Sequence, residues 1–594
     1  MPDIYMASGI DRTNVKDYYT GSEEIYDGYE RTSQYLTMED GVRLAIDIYR
    51  PTKDGKLHEE PLPVIWCATQ YRRNKLKADG SIPSLAEISE MWFTPGIDRV
   101  LRHGYVIAAL DCRGSGASFG NHPNQVGLAD YHDLYDVNEW LAKQDFCCGV
   151  TGMFGLSFLG KTQWSCAMMA PPSLKCIVPC VSSFDTPYLS NNGVWNIGWT
   201  LKVGDTVSTM SLEDLAAPVD GDEDRKLLME AVREHESNPK RSVEWKTRYL
   251  DDYNPYSHRK EFLEIYPPHY FWILSSAKIA CYVIAALRDF GTTDSFDFFS
   301  SVDTPKKLVC GPWIHTGCKD MVGAPWDFIT EHLRWYDYWL KGIENGIMDE
   351  PQVMIYNDAA EEWRRYESYP VPDTRREMYY LQPDASGTIK SRYDGMLKKI
   401  KPVEPAAEYT YEVDYTTTKR GFQDRNWYDT PGNPDYTGLD ERGLTFTTDE
   451  MKEAVNFVGA PIVYLWMSAD AKDVNFFAYL EDVSPDGVST NITEGRMRAS
   501  FRKLVDPPYN RCGSPWHRQM KGDQQDLVPG EAVRLDFDML VMSRTILPGH
   551  RLRLTLTNAD AQNFETLEMT PAPHITVYFN ASRCSSISLP VIPS

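Results

Sequence analysis

Gly155-Leu156-Ser157-Phe158-Leu159-Gly160 lies between a short apolar run, Val150 to Phe154, and a helix-like run, Thr162 to Met169. That context places Ser157 on a sharp strand-to-helix turn, the setting in which a serine is presented as a nucleophile. Glycines at 155 and 160 fit such a turn, where a side chain would meet the neighbouring backbone. The plainer alternative is a serine that merely sits in a tight turn. The same residues also fit a phosphate loop, because Gly155 to Thr162 matches G-x-x-x-x-G-K-[ST] with Lys161 and Thr162 in the phosphate and magnesium roles. Leu156, Phe158 and Leu159 make it bulkier and more apolar than a cradle of successive N–H groups. The nucleophile reading needs partners downstream in the order Ser, Asp, His.

The chain supplies both. Asp289 follows the apolar strand Tyr282 to Leu287, and His315 closes Gly311-Pro312-Trp313-Ile314-His315 just after the strand Lys307 to Cys310. Each therefore stands at the carboxyl end of a strand, where open α/β sheets place their sites. A serine hydroxyl attacks poorly until a histidine takes its proton, and the histidine needs a carboxylate to fix its tautomer and stabilise its charge. The alternative is structural: His315 as a capping or core histidine and Asp289 as a helix N-cap.

Working outward, short apolar runs (Leu44 to Tyr49, Val64 to Ala68, Tyr105 to Leu110, Val150 to Phe154, Cys176 to Val181) alternate with helix-length segments up to about residue 190. The pattern predicts a largely parallel α/β sheet. Residues 186–270 break into Trp- and Tyr-rich pieces with a charged helical stretch, Glu223 to Glu236, and read as an inserted helical cap. The strand-like Ile279 to Leu287 resumes the sheet over 271–351, and Glu331 to Asn345 reads as a closing helix with core aromatics. From 352 to 594 the texture is alternation: Val533, Leu535, Phe537 and Met539, then Leu552, Leu554 and Leu556 after Pro548-Gly549. These predict half-buried antiparallel strands joined by a turn. With Ile462 to Trp466 and Phe476 to Leu480, they make the last part a β-sandwich or jelly roll.

At 594 residues the chain predicts two or three domains. Its 61 basic and 85 acidic side chains leave a net charge of −24, which argues against nucleic acid or an anionic membrane as partner. Residues 1–30 hold no apolar core of secretory length, and no apolar run is long enough to span a bilayer. A soluble, cytoplasmic protein is the expectation. Cys67, Cys166, Cys281 and Cys310 sit inside apolar runs, as reduced buried thiols do. No Cys-x-x-Cys or His-Glu-x-x-His string supports a metal site.

Five stretches carry a resemblance: Gly155 to Gly160, Asp111-Cys-Arg-Gly-Ser-Gly-Ala-Ser118, Gly311 to His315, Trp335-Tyr-Asp-Tyr-Trp-Leu-Lys-Gly342, and Asp40-Gly-Val-Arg-Leu-Ala-Ile-Asp-Ile-Tyr-Arg-Pro51. Together they resemble the cocaine esterase and X-Pro dipeptidyl-peptidase family of serine hydrolases, over nearly the whole chain. The resemblance implies an α/β-hydrolase domain (1–185 and 271–351), the cap at 186–270 and a C-terminal jelly roll. It assigns Ser157, Asp289 and His315 to a catalytic triad. It also implies that Tyr71 supplies an oxyanion donor, joined by the backbone N–H of Phe158. Asp111 to Ser118 reads as a structural turn beside the site. The chain departs from the family at Leu287-Arg288, where members often carry an aromatic residue. Phe290-Gly291-Thr292 lacks the acids with which the amino-acid ester hydrolase branch holds an ammonium.

The expected activity is cleavage of a carboxylic ester through an acyl-enzyme, without a cofactor. Trp195, Trp199 and Phe290 are the candidates for the substrate pocket. The expected partner is a small-molecule ester or acyl substrate, with a homo-oligomer left open. Four alternatives stand beside it: acyl transfer or cyclisation at the same triad, an X-Pro dipeptidyl-peptidase-like peptidase, a phosphate-loop nucleotide-binding protein, and an inactive scaffold that only binds.

Overall fold

The structure, a computed structural model, describes residues 21–92, 94–122, 128–182, 192–196, 216–239, 248–254, 258–264, 267–315, 326–418 and 436–593. Eleven strands build the first sheet: β1 (Gly28–Thr37), β2 (Arg43–Lys53), β3 (Lys56–Leu57), β4 (Leu62–Thr69), β5 (Val106–Asp111), β6 (Cys147–Leu156), β7 (Leu174–Cys180), β8 (Ala280–Arg288), β9 (Lys306–Ile314), β10 (Val353–Asn357) and β11 (Glu362–Tyr366). Their order is β1-β2-β5-β4-β6-β7-β8-β9-β10-β11, with β3 beside β2. From β5 to β10 every neighbouring pair is parallel. The apolar runs are continuous because both faces of such a sheet are covered; Val64, Ile65, Trp66, Cys67 and Ala68 are all fully buried. β5 and β6 flank β4 on opposite sides, so the chain reverses its direction of travel there and opens a crevice beyond the strand ends.

The sheet continues past the boundary expected at residue 351. β10 pairs in parallel with β9, and β11 turns back antiparallel on β10. Short polar strands at an edge gave no alternation strong enough to mark them as part of the sheet. The closing helix runs Phe328–Lys341, started by Asp327 accepting from the Thr330 N–H and stopped by Gly342 at φ 68°. Trp335 and Tyr336 are buried in the core, as their helical spacing predicted.

Beyond residue 374 the chain is all β, a sheet of 13 strands curled around Phe446, Phe457, Phe476, Leu554 and Phe579. Val533–Asp538 and Arg551–Thr557 are strands, but no single turn joins them. Met542–Ile546 intervenes, and the two pair with Ile462–Ala469 and Asn475–Val483 respectively. Nor are they half-buried. Arg553 is buried against Asp440, and Asp538 against Arg511, so their polar faces are covered through ion pairs. Alternation alone does not distinguish a wet face from a paired buried one.

Much of the expected cap, including Trp199, lies outside the described residues. Within 186–270 the helix Lys226–His235 packs over the turn after β5, where the His235 ring donates through Nε2 to the Ser118 carbonyl (2.7 Å) and Asn238 donates to that of Gly114 (2.8 Å). No helix among the described residues is long and apolar enough to cross a membrane.

Candidate active site

β6 ends at Leu156, and the helix Phe158–Met168 begins one residue later, so Ser157 alone makes the turn. It does so at φ 61°, ψ −117°, a conformation costly for any residue with a side chain. Gly155 stands at φ +131°, and a Cβ there would run into the Leu159 side chain. The turn is held from below by Gln163, which is fully buried. Its Nε2 donates to the carbonyls of Gly155 (3.0 Å) and Val178 (3.1 Å), and its Oε1 accepts from the Val178 N–H (2.8 Å). One amide thereby ties the nucleophile strand to β7. Nothing in the sequence singled it out, since a helical glutamine usually faces water.

β8 and β9 bring the partners. The His315 ring lies with Nε2 2.8 Å from Ser157 Oγ and Nδ1 2.8 Å from Asp289 Oδ1. An ionised carboxylate only accepts, so Nδ1–H donates to Asp289 and leaves Nε2 to accept from the serine hydroxyl. Asp289 and His315 are buried, at 1% and 3% exposure, and Ser157 is partly open to the crevice. The Phe290 ring stacks on His315 with centroids 5.1 Å apart and planes 26° apart, which fixes one face of the imidazole.

Tyr71 arrives on the loop after β4, with its ring edge-on to that of Phe158 at 6.1 Å. Phe158 opens its helix, so its N–H is one of those left without an intrahelical acceptor, at the end where the helix dipole favours negative charge. The Tyr71 loop is anchored by Arg73, which is fully buried. Its Nε donates to Asp47 (2.8 Å), Nη1 to Asp111 (2.9 Å) and Nη2 to Ser33 (3.0 Å), while its backbone N–H donates to Asp111. Asp111 also accepts from the Ala117 N–H (2.8 Å), so the Asp111 to Ser118 stretch is the structural turn it was expected to be. Arg73, Asp47 and Gln163 were not among the expected site residues.

The phosphate-loop alternative fails on Thr162. Its hydroxyl is buried and donates to the carbonyls of Ala68 (3.2 Å) and Leu159 (3.1 Å), facing the sheet where a magnesium-bound phosphate would have no room. Trp195 is buried against the second domain, and its carbonyl accepts from the Glu565 N–H (2.8 Å).

The X-Pro dipeptidyl-peptidase (S15 family) model matches residues 40–317, and the model of the X-Pro dipeptidyl-peptidase C-terminal non-catalytic domain matches residues 345–582. The chain belongs to this family. Among its relatives, a Mycobacterium bovis protein provisionally named a serine esterase is 29% identical, over 96% of each chain. The cocaine esterase of Rhodococcus sp. is 25% identical, over 89% of this chain and 91% of that one. The crystal structure of a CocE/NonD family hydrolase from Staphylococcus aureus shares the fold, with a TM-score of 0.69 at 18% identity over 95% of this chain and 94% of that one. The S15-family chain is thus an enzyme of the serine-esterase type, an α/β-hydrolase with a separate, mostly β C-terminal domain.

Proposed function

We propose that this chain hydrolyses the carboxylic ester of a small organic molecule through an acyl-enzyme formed on Ser157. The observation that carries the reading is the unbroken hydrogen-bonded line from Ser157 Oγ through His315 to Asp289, each step 2.8 Å. Ser157 Oγ attacks the ester carbon while His315 Nε2 takes its proton, and Asp289 stabilises the imidazolium. Negative charge gathers on the carbonyl oxygen, where the Tyr71 hydroxyl and the Phe158 N–H donate. Collapse expels the alcohol, which takes the proton from His315. A water then enters, gives its proton to His315 and releases the acid. Residues 290–292 carry no carboxylate to hold a substrate ammonium, which favours an ester over an N-terminal dipeptide.

Aromatic surface at Phe290 suits an acyl or alcohol group with a ring. The described cysteines are all free and most are buried, which suits a reducing compartment, the cytoplasm.

Fluorophosphonate labelling followed by peptide mapping tests the assignment. The adduct is expected on Ser157 alone, and Ser157→Ala should lose both labelling and ester turnover while remaining folded. An adduct on another residue would refute it.

A further inference from the structure

The end of β9 is irregular where the histidine leaves it. Ala286 of β8 stands opposite Gly311 and Arg288 opposite Ile314, so two steps along β8 meet three along β9. The extra residue makes a β-bulge within Gly311–Ile314. The local sequence suits this shape. A Cβ on Gly311 would strike the Trp313 ring folded over it, and Pro312 has no N–H to leave without a partner. What remains exposed by the bulge is the Pro312 carbonyl, and the Arg288 Nη1 donates to it. Arg288 is the immediate neighbour of Asp289, and Pro312 is three residues from His315. One guanidinium therefore ties together the two strand ends that carry the acid and the base.

Arg288 is itself held from the far side. Its Nη2 donates to Asp358 Oδ2 (2.7 Å), just beyond β10, and the other oxygen of Asp358 accepts from Arg544 Nη1 (2.9 Å) on the strand Met542–Ile546 of the second domain. Arg544 continues to Asp482 through Nη2 (2.6 Å), and Asp482 accepts from His550 Nδ1 (2.7 Å). Charges alternate along this chain of side chains, all of them shielded from water to four-fifths or more except His550. Beside it the domains are pinned by Asn357 Nδ2 donating to Thr545 (2.8 Å) and by the Val541 N–H donating to Thr293 (3.2 Å). The planar fork of an arginine can serve a carbonyl and a carboxylate at once, where a lysine offers a single point charge.

We propose that Arg288 is a positioning residue for the esterase site: braced by Asp358 and Arg544, it fixes the bulge of β9 and so sets His315 against Asp289 and Ser157. The jelly roll, which contributes none of the triad, is then part of what holds the triad in register. The proposal rests on the triad assignment made above.

Arg288→Lys and Arg288→Ala, each compared with Asp358→Asn, test it. The measurements are kcat and KM on an activated aryl ester and the rate at which a fluorophosphonate labels Ser157, which reads serine activation independently of substrate fit. A loosened histidine should lower kcat and the labelling rate together, by about ten- to a hundredfold, with KM within threefold of wild type. Asp358→Asn should act in the same direction, and the double variant Arg288→Ala/Asp358→Asn should be no worse than Arg288→Ala, because both break one unit. If Arg288→Ala does not fold, the lysine variant decides, since it keeps a cation opposite Asp358. A folded Arg288→Lys that labels and turns over within twofold of wild type overturns the proposal. Failure of the triad assignment is seen separately, as a wild-type adduct that maps away from Ser157.

Discussion

Gly160→Ala should damage catalysis although alanine is the better helix former. Gly160 lies in the first turn of the nucleophile helix, where its N–H donates to the Ser157 carbonyl (2.9 Å). An added Cβ would stand 2.5 Å from Ser182 Cβ, 3.0 Å from Ser182 Oγ and 3.2 Å from the Cys180 carbonyl. Carbon atoms rest at about 3.5–4.0 Å, so the helix start has to move off β7 by about 1 Å. Ser157 moves with it. A shift of about 1 Å would stretch the 2.8 Å Ser157–His315 contact beyond hydrogen-bonding distance. Misplacement on that scale costs about a hundredfold in rate, and the overpacking costs about 1–3 kcal/mol of stability. Turnover of an activated aryl ester, with circular dichroism as the check on folding, reads both effects. Ser182→Gly removes the two nearest obstacles, so Gly160→Ala/Ser182→Gly should recover most of the lost kcat. A folded Gly160→Ala with kcat within threefold of wild type refutes the reasoning. So does a double variant no better than the single one.

Tyr71→Phe removes one of the two donors proposed for the oxyanion and should lower kcat by about a hundredfold or more, with a smaller change in KM; an unchanged kcat would make Tyr71 a packing residue against Phe158. His332 on the closing helix is fully buried, and burial pushes its pKa down from 6.5 to about 4. The folded protein keeps it neutral while the unfolded chain takes up a proton. Stability is therefore fully present above about pH 6.5 and is lost as pH falls towards 4, by about 3 kcal/mol at most. His332→Phe should flatten that part of the stability curve, as followed by urea denaturation between pH 7 and pH 4, and an identical slope in the variant would count against it.

The parts of the site legible in the sequence were those whose chemistry is local. Ser157 announced itself through the glycines that its turn needs, and Asp289 and His315 through position, each just past an apolar run. The core strands were legible for a related reason: a strand covered on both faces has no polar residues to blur its limits, as in Val64 to Ala68. What stayed hidden was held by contacts distant in sequence. Arg73 and Asp47 are 26 residues apart and meet across the sheet, while Arg288 and Arg544 belong to different domains. A buried arginine and an exposed one look alike in a string of letters. Leu287-Arg288 did stand out as a departure from the family, but its partners could not be read from it. β10 and β11 were missed because their polarity matched the domain that follows them.

Those two strands bear on how the protein can be inherited. The stretch recognised as the C-terminal non-catalytic domain begins at residue 345, yet Val353–Asn357 and Glu362–Tyr366 complete the catalytic sheet and cover Trp313 through Trp363, 5.8 Å away. The segment that would travel with a transplanted C-terminal domain thus contains the rim of the catalytic one. Recombination at the linker would leave β9 as a bare edge on one product and an orphan hairpin on the other. The two halves are separable as patterns of descent but not as physical modules, and they are constrained to diverge as a pair.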